Sequence, residues 1–110
     1  MYYTYIIRCE DNSLYTGITT DLKRRMDEHF SKSEKCAKYT FRHSAKSFEI
    51  AWESSTRILA SKLEYRIKHL NKSQKENLIK NHNNLSVFFK DTIDYTQYKK
   101  VNFIYTYNNK

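Results

Sequence analysis

The sequence predicts a small layered α/β domain of the α+β kind: a three-stranded antiparallel sheet flanked by helices, followed by an extra aromatic C-terminal segment. Three observations carry this. Tyr2 to Cys9 is a run of aromatic and β-branched residues, apolar at both odd and even positions, so its strand is covered on both faces. Glu10 to Ser13 supplies turn residues, and Leu14 to Thr19 returns as the second strand of a hairpin. Apolar residues then recur at helical spacing, at Leu22, Met26 and Phe30 and again at Leu59, Leu63, Ile67 and Leu70.

Taken in order, the elements are as follows. The hairpin loop fits two, three or four residues, so the register, and whether Tyr5 and Tyr15 share a face, stays open. Gly17 is the only glycine of the chain and sits inside the second strand, where glycine normally weakens pairing. Either the backbone bends there or something approaches it closely. A helix from about Asp21 to Phe30 is capped by Thr19 or Thr20, with Asp21 in its first turn. Arg25 flanks its apolar stripe, whereas Lys23 and Arg24 are freely exposed. Ser31 to Ser47 mixes Lys32, Lys35, Lys38, Arg42 and Lys46 with Tyr39 and Phe41, a composition that suits a nucleic-acid backbone and its bases and equally a solvated loop.

Phe48 to Glu53 alternates strictly and predicts a third strand with Phe48, Ile50 and Trp52 on one face. Ser54, Ser55 and Thr56 offer caps for a helix to about Asn71, in which Glu64 borders the buried stripe and stands four residues before Lys68. Ser73 to Glu76 reads as a capping box for a short helix to Lys80. Asn81 to Asn84 marks the boundary between a domain over 1–84 and an extension over 85–110. Seven aromatics in that extension call for burial, on this domain's core or on a second copy, so the chain is read as monomer or homodimer. Val101 to Tyr107 reads as a further strand. The tail is expected to shield one side of the core, away from Tyr15 and Glu64.

Charge narrows the partners. The 110 residues hold 20 Lys+Arg against 12 Asp+Glu, a net +8, which favours a polyanion, nucleic acid before an anionic membrane surface. No apolar run reaches the roughly 18 residues of a membrane span. Cys9, Cys36 and four scattered histidines show no disulfide or zinc spacing. The chain reads as intracellular and cytoplasmic.

With these elements in place, the chain resembles the GIY-YIG nuclease superfamily, closest to its small stand-alone bacterial members. The half-motifs stand as Tyr3-Thr4-Tyr5 and Tyr15-Thr16-Gly17. Asp21 to Met26 with Glu28-His29 is similar to the family's arginine helix, Cys36-Ala37-Lys38-Tyr39-Thr40 to its Ala-Lys-Tyr-Thr segment, and Ala60 to Lys68 to the helix bearing its metal-binding glutamate. Tyr3 replaces a glycine of the founding motif. Ile18 stands where several relatives place a lysine close to the catalytic tyrosine, so basic help must come from elsewhere.

The resemblance implies a metal-dependent endonuclease with catalytic Tyr5, Tyr15, Arg25, His29 and Glu64, and nucleic-acid contacts from Gly17, Arg24, Lys38, Tyr39, Thr40 and Arg42. It implies one divalent ion, Mg2+ or Mn2+, on Glu64 and mostly held through waters. DNA is a more natural substrate than RNA, single-stranded or branched DNA among them. A tyrosine, Tyr5 or Tyr15, would handle the water; acting as a base near pH 7 asks for about 4 kcal/mol of electrostatic help. Two other readings are an RNA-directed nuclease and a non-catalytic binding module on the same fold. Binding alone gives no reason for an acid beside a phosphate.

Overall fold

The computed structural model describes residues 1–81 and 85–107 in full and residue 84 by its backbone. Its frame is a sheet of strand order β2-β1-β3-β4, with β1 (Tyr2–Cys9), β2 (Leu14–Thr19), β3 (Ala45–Ser54) and β4 (Lys99–Lys100). All three pairings are antiparallel. The fold class is the one expected from sequence, with four strands in place of three. The helices are α1 (Leu22–Phe30), α2 (Lys38–His43), α3 (Arg57–Lys68), α4 (Lys72–Lys80) and α5 (Asn84–Phe89), followed by a 3-10 turn over Tyr95–Gln97. Among the described residues no helix is long and apolar enough to cross a membrane.

Both faces of β1 are covered, as its double apolar parity requires. One face joins Ile6, Ile50 and Trp52 to Leu63 and Ile67 of α3 and Leu78 of α4. Thr4, fully buried among them, donates its hydroxyl to the Ala60 carbonyl at 3.0 Å. The other face joins Tyr5, Ile7 and Ala51 to Leu22 and Met26 of α1. Phe48 packs here too, not with Ile50 and Trp52 as strict alternation predicts. The cause is a β-bulge: Ile6 pairs with Ile50 but Ile7 pairs with Phe48, so Glu49 is skipped and the parity flips. Glu49 is held by Arg8 at 2.6 Å, and the same guanidinium grips Glu76 of α4 with two bonds of 2.6 and 2.8 Å.

Side chains set the ends of the helices. Asp21 is the N-cap of α1 and accepts from the Arg24 N–H; it lies two residues beyond Thr19 and one beyond Thr20, the expected caps. Thr56 caps α3 in the same way. The capping box of α4 is Asn71 with Gln74, two residues before the predicted one, because Asn71 already meets both backbone requirements. The predicted boundary falls partly on His82 and Asn83, which lie outside the described residues. The stretch read as a basic loop contains α2, which ends where Ser44 turns to φ 55°.

The tail folds over both faces of the sheet. Leu85, Phe89, Ile93 and Tyr98 enter the core beside α3, and the Tyr98 hydroxyl donates to the Leu59 carbonyl at 2.6 Å. The chain then pairs Lys100 with Trp52 at the free edge of β3 and crosses over, so Val101, Phe103 and Tyr105 pack on the α1 side. The strand expected over 101–107 is therefore displaced to Lys99–Lys100. Beyond it the Val101 N–H still donates to Ala51 O at 3.0 Å, but 101–107 forms no ladder, its alternate side chains being spent on packing. Shielding is thus two-sided, and it reaches the arginine helix: the Tyr105 hydroxyl donates to Asp27 of α1 at 2.6 Å.

Candidate active site

The hairpin register places Tyr5 opposite Gly17 and Ile7 opposite Tyr15, so Tyr5, Tyr15 and Gly17 share the α1 face of the sheet. Gly17 is glycine for the second of the two expected reasons. Its φ is not positive; instead a Cβ there would lie 2.5 Å from the Tyr5 hydroxyl oxygen and 2.7 Å from its ring. The Tyr5 ring lies across the glycine, which is buried and contributes space and no contact with solvent. Gly17→Ala should therefore displace Tyr5 and cost about 1–3 kcal/mol, the usual penalty of overpacking, read as a lowered urea midpoint. An unchanged midpoint would show that Tyr5 has room to move.

Tyr5 is 1% exposed. Its hydroxyl lies 2.7 Å from Nε2 of His29, and Nδ1 of His29 lies 2.7 Å from the Thr40 hydroxyl, which donates to the Ala37 carbonyl at 3.2 Å. One order of donors satisfies all three: Tyr5 donates to Nε2, Nδ1–H donates to Thr40, and Thr40 donates to the backbone. Burial, with the negative potential of Tyr15 adding to it, pushes the Tyr5 phenol above its ordinary range, while the Arg25 guanidinium works in the other direction. Burial, then Arg25, lowers His29 to about 4, so it is neutral at pH 7. Thr40 was expected on the nucleic-acid surface; it is fully buried and instead fixes the histidine ring from α2.

Because His29 binds its proton less readily folded than unfolded, acid favours unfolding. Its contribution is complete above about pH 6.5 and is lost as pH falls towards 4, an amount of roughly 3 kcal/mol. Glu76, held near 2 by Arg8, adds its loss only below the ordinary carboxylate range. Urea unfolding at pH 7.5, 6 and 5 should show a steady decline; a flat profile would mean that His29 takes up a proton without leaving its pocket.

Tyr15 has a different setting. It is half-buried, and among the described residues its hydroxyl has no hydrogen-bond partner. Its ring stacks on Tyr39 at 5.6 Å, Tyr39 stacks on His43 at 4.2 Å, and Asp11 holds His43 at 2.5 Å. Across the edge strand β2, α3 brings the Lys68 ammonium to 5.9 Å from the Tyr15 ring centroid. Lys68 in turn pairs with Glu64 at 3.3 Å. The cation that Ile18 does not supply is thus present on α3, one turn beyond the glutamate.

Arg25 is half-buried and held by Glu28 at 2.7 Å and the Lys35 carbonyl at 2.6 Å. Both bonds use Nη1; among the described residues no carboxylate holds Nε or Nη2. Arg24, Lys38 and Arg42 are exposed and outside the cluster, as expected of surface cations. The structure therefore gathers Tyr5, Tyr15, His29, Arg25 and Glu64 around β2 and places Gly17 and Thr40 beneath them. Sequence reasoning missed Lys68, whose only signal was its spacing from Glu64, and the His43–Asp11 pair, which a long-range loop contact creates without any local pattern. Among the described residues no three His, Cys, Asp or Glu side chains converge.

The class is thus an α+β domain whose antiparallel sheet sets Tyr5 and Tyr15 on the side of α1 and whose α3 carries Glu64 beside the edge strand β2. The GIY-YIG catalytic domain matches residues 1–77. The chain is 44% identical over 78 residues to the UPF0213 protein FN1575 of Fusobacterium nucleatum, covering 71% of this chain and 76% of that one. It is 45% identical over the same length, with the same coverage, to UPF0213 proteins of Citrobacter koseri and Salmonella arizonae. A solution NMR structure of the UPF0213 protein BH0048 from Bacillus halodurans is 39% identical, covers 73% of this chain and 84% of its own, and aligns with a TM-score of 0.46. The chain belongs to the GIY-YIG nuclease superfamily.

Proposed function

We propose that this chain is a metal-dependent endonuclease that hydrolyses phosphodiester bonds in DNA. The observation that supports it most is the contrast between the two tyrosines. Tyr5 is sealed and committed to a neutral histidine, whereas among the described residues the Tyr15 hydroxyl has no partner and stands near a lysine that pairs with a single carboxylate. Phosphodiester hydrolysis needs an oriented water, charge stabilisation at phosphorus and help for the leaving oxygen.

In this reading the Tyr15 hydroxyl orients the attacking water, and the Lys68 ammonium, 5.9 Å from the ring centroid, adds positive potential for the phosphate oxygens. Arg25 binds the non-bridging oxygens through Nε and Nη2, since Nη1 is already tied to α1 and Lys35; its fixed fork suits phosphate. Tyr5, His29 and Thr40 hold the floor on which Tyr15 rests. Tyr39 and the exposed Lys38, Arg24 and Arg42 would grip the strand on either side.

Glu64 fits a magnesium or manganese ion. Its carboxylate is one-quarter exposed and its partner is a lysine at 3.3 Å that a cation can displace. A single carboxylate, with water and substrate oxygens, is an ordinary site for magnesium. Bound there, the metal would supply Lewis-acid stabilisation of the phosphate and of the leaving oxygen.

The test is cleavage of end-labelled single-stranded, duplex and flapped DNA and of matching RNA, each with magnesium, manganese or chelator. Metal-dependent internal cuts in DNA are expected. Cutting confined to RNA would move the substrate, and binding without cutting under any metal would overturn the enzyme reading.

A further inference from the structure

The outer side of α3 takes no part in the site, yet it is built like a binding surface. Two clefts meet at Arg57. One, about 300 Å3, is lined by Ile18, Thr20, Arg24, Arg25, Glu28 and Arg57. The other, about 570 Å3, runs between α3 and the tail and is lined by Arg57, Ile58, Lys62, Tyr65, Arg66 and Ile93. Among the described residues, Arg57, Lys62 and Arg66 have no carboxylate partner, whereas Lys23, Arg25, Lys68 and Lys72 all do. Ile58 and Tyr65 are 69% and 56% exposed in the middle of these cations. The Tyr65 ring is braced by His69 at 4.2 Å and by the Arg66 guanidinium at 5.5 Å.

Three uncompensated cations around a braced, outward-facing phenol match a phosphodiester backbone with unpaired bases, which stack on such rings regardless of sequence. A duplex hides its base faces and leaves Tyr65 and Ile58 without partners. Arg57 lines both clefts, so a strand that passes it can reach from one into the other. We propose that single-stranded nucleic acid leaves the Arg25 cleft past Arg57 and lies along the outer side of α3, with phosphates on Arg57, Lys62 and Arg66 and a base on Tyr65. This rests on the nuclease reading of the Arg25 cleft. The helix rises about 1.5 Å per residue, so Arg57 to Arg66 spans roughly 14 Å, the length of about four stacked nucleotides at about 3.4 Å each. The surface therefore acts only on strands that extend beyond the scissile region, and it selects for unpaired length.

Fluorescence anisotropy on the intact chain, in chelator, tests this with labelled single strands of 6 and 20 nucleotides, as DNA and as RNA. Arg57→Ala/Lys62→Ala/Arg66→Ala should weaken the 20-mer on the order of 10–100-fold, weaken the 6-mer, which cannot fill the Arg25 cleft and this surface together, far less, and flatten the 20-mer's slope of log Kd against log salt by about 2, at ~0.7 per phosphate. Tyr65→Ala should weaken the 20-mer by about 10-fold at constant salt slope. Lys62→Glu alone, at an exposed position, repeats the test with the least risk to folding, and unfolding midpoints confirm that each variant is native. Equal losses at both lengths, no loss at either, or a 20-base-pair duplex bound as tightly as the single strand and indifferent to Tyr65→Ala would each overturn the proposal. Since these measurements need no cleavage, a chain that binds with this length dependence but never cuts would fail the nuclease reading and leave this surface standing.

Discussion

Removing residues 85–110 should leave a chain that aggregates or unfolds at a drastically lowered urea midpoint. Leu85, Phe89, Ile93 and Tyr98 are part of the core that includes Trp52, Ile67 and Leu78. Each such side chain contributes about 1.5–3 kcal/mol when buried. The ordering of the tail costs entropy that truncation refunds, but the surfaces it leaves behind receive nothing in return. Trp52 and Ile50 lose their cover on one face, Ile7 and Met26 on the other, and β3 gains an unpaired edge of the kind that aggregates. Against a total stability of about 5–15 kcal/mol that loss is decisive. Urea unfolding and size-exclusion chromatography after truncation at Asn84 are expected to show aggregation or a drastically lowered midpoint. A monomeric truncated chain with the intact chain's melting temperature would mean that the matched region, which ends at residue 77, closes its own core.

How much of this was legible in the residues follows from what each signal depends on. Periodicity is local, so β1, the hairpin, α1 and α3 read directly from apolar spacing, and the single glycine inside a strand marked Gly17 as either a bend or a close approach without deciding between them. A β-bulge carries no local signature here. Skipping Glu49 reversed the side of Phe48, and nothing in Phe48 to Glu53 announces that Arg8 and Glu76 would claim the carboxylate. The tail showed that it must be buried, because seven aromatics demand it, but not that it would cross the sheet edge after two paired residues. In the site, chemistry-bearing residues such as Arg25 and Glu64 stood out by resemblance. Thr40 did not show its burial, since its partner His29 lies 11 positions away and the contact arises only once α2 folds back over α1. Lys68 was visible only as a helix partner of Glu64, because its nearness to the Tyr15 ring depends on where β2 passes.

Glu64→Gln is expected to lower metal-dependent cleavage by at least about 10²-fold, the scale of losing one preorganised electrostatic group at a reacting phosphate. Nucleic-acid binding in chelator should hold or strengthen, because a carboxylate paired with Lys68 opposes an approaching phosphate unless a cation neutralises it. Folding should scarcely change. The Glu64–Lys68 pair joins side chains about one-quarter and one-half exposed, and such i,i+4 pairs contribute about 0.3–0.5 kcal/mol. These three readouts separate the metal role from the helix pair. If Glu64 served only to hold Lys68 beside Tyr15, Lys68→Met would reproduce the full loss of rate and raised magnesium would rescue neither variant. If Glu64 holds the ion, the Lys68→Met chain keeps its metal requirement and its magnesium dependence, since the ion stays in place. A Glu64→Gln chain that cuts at the unmodified rate, with an unmodified magnesium dependence, would take Glu64 out of the reaction and leave it as the surface partner of Lys68.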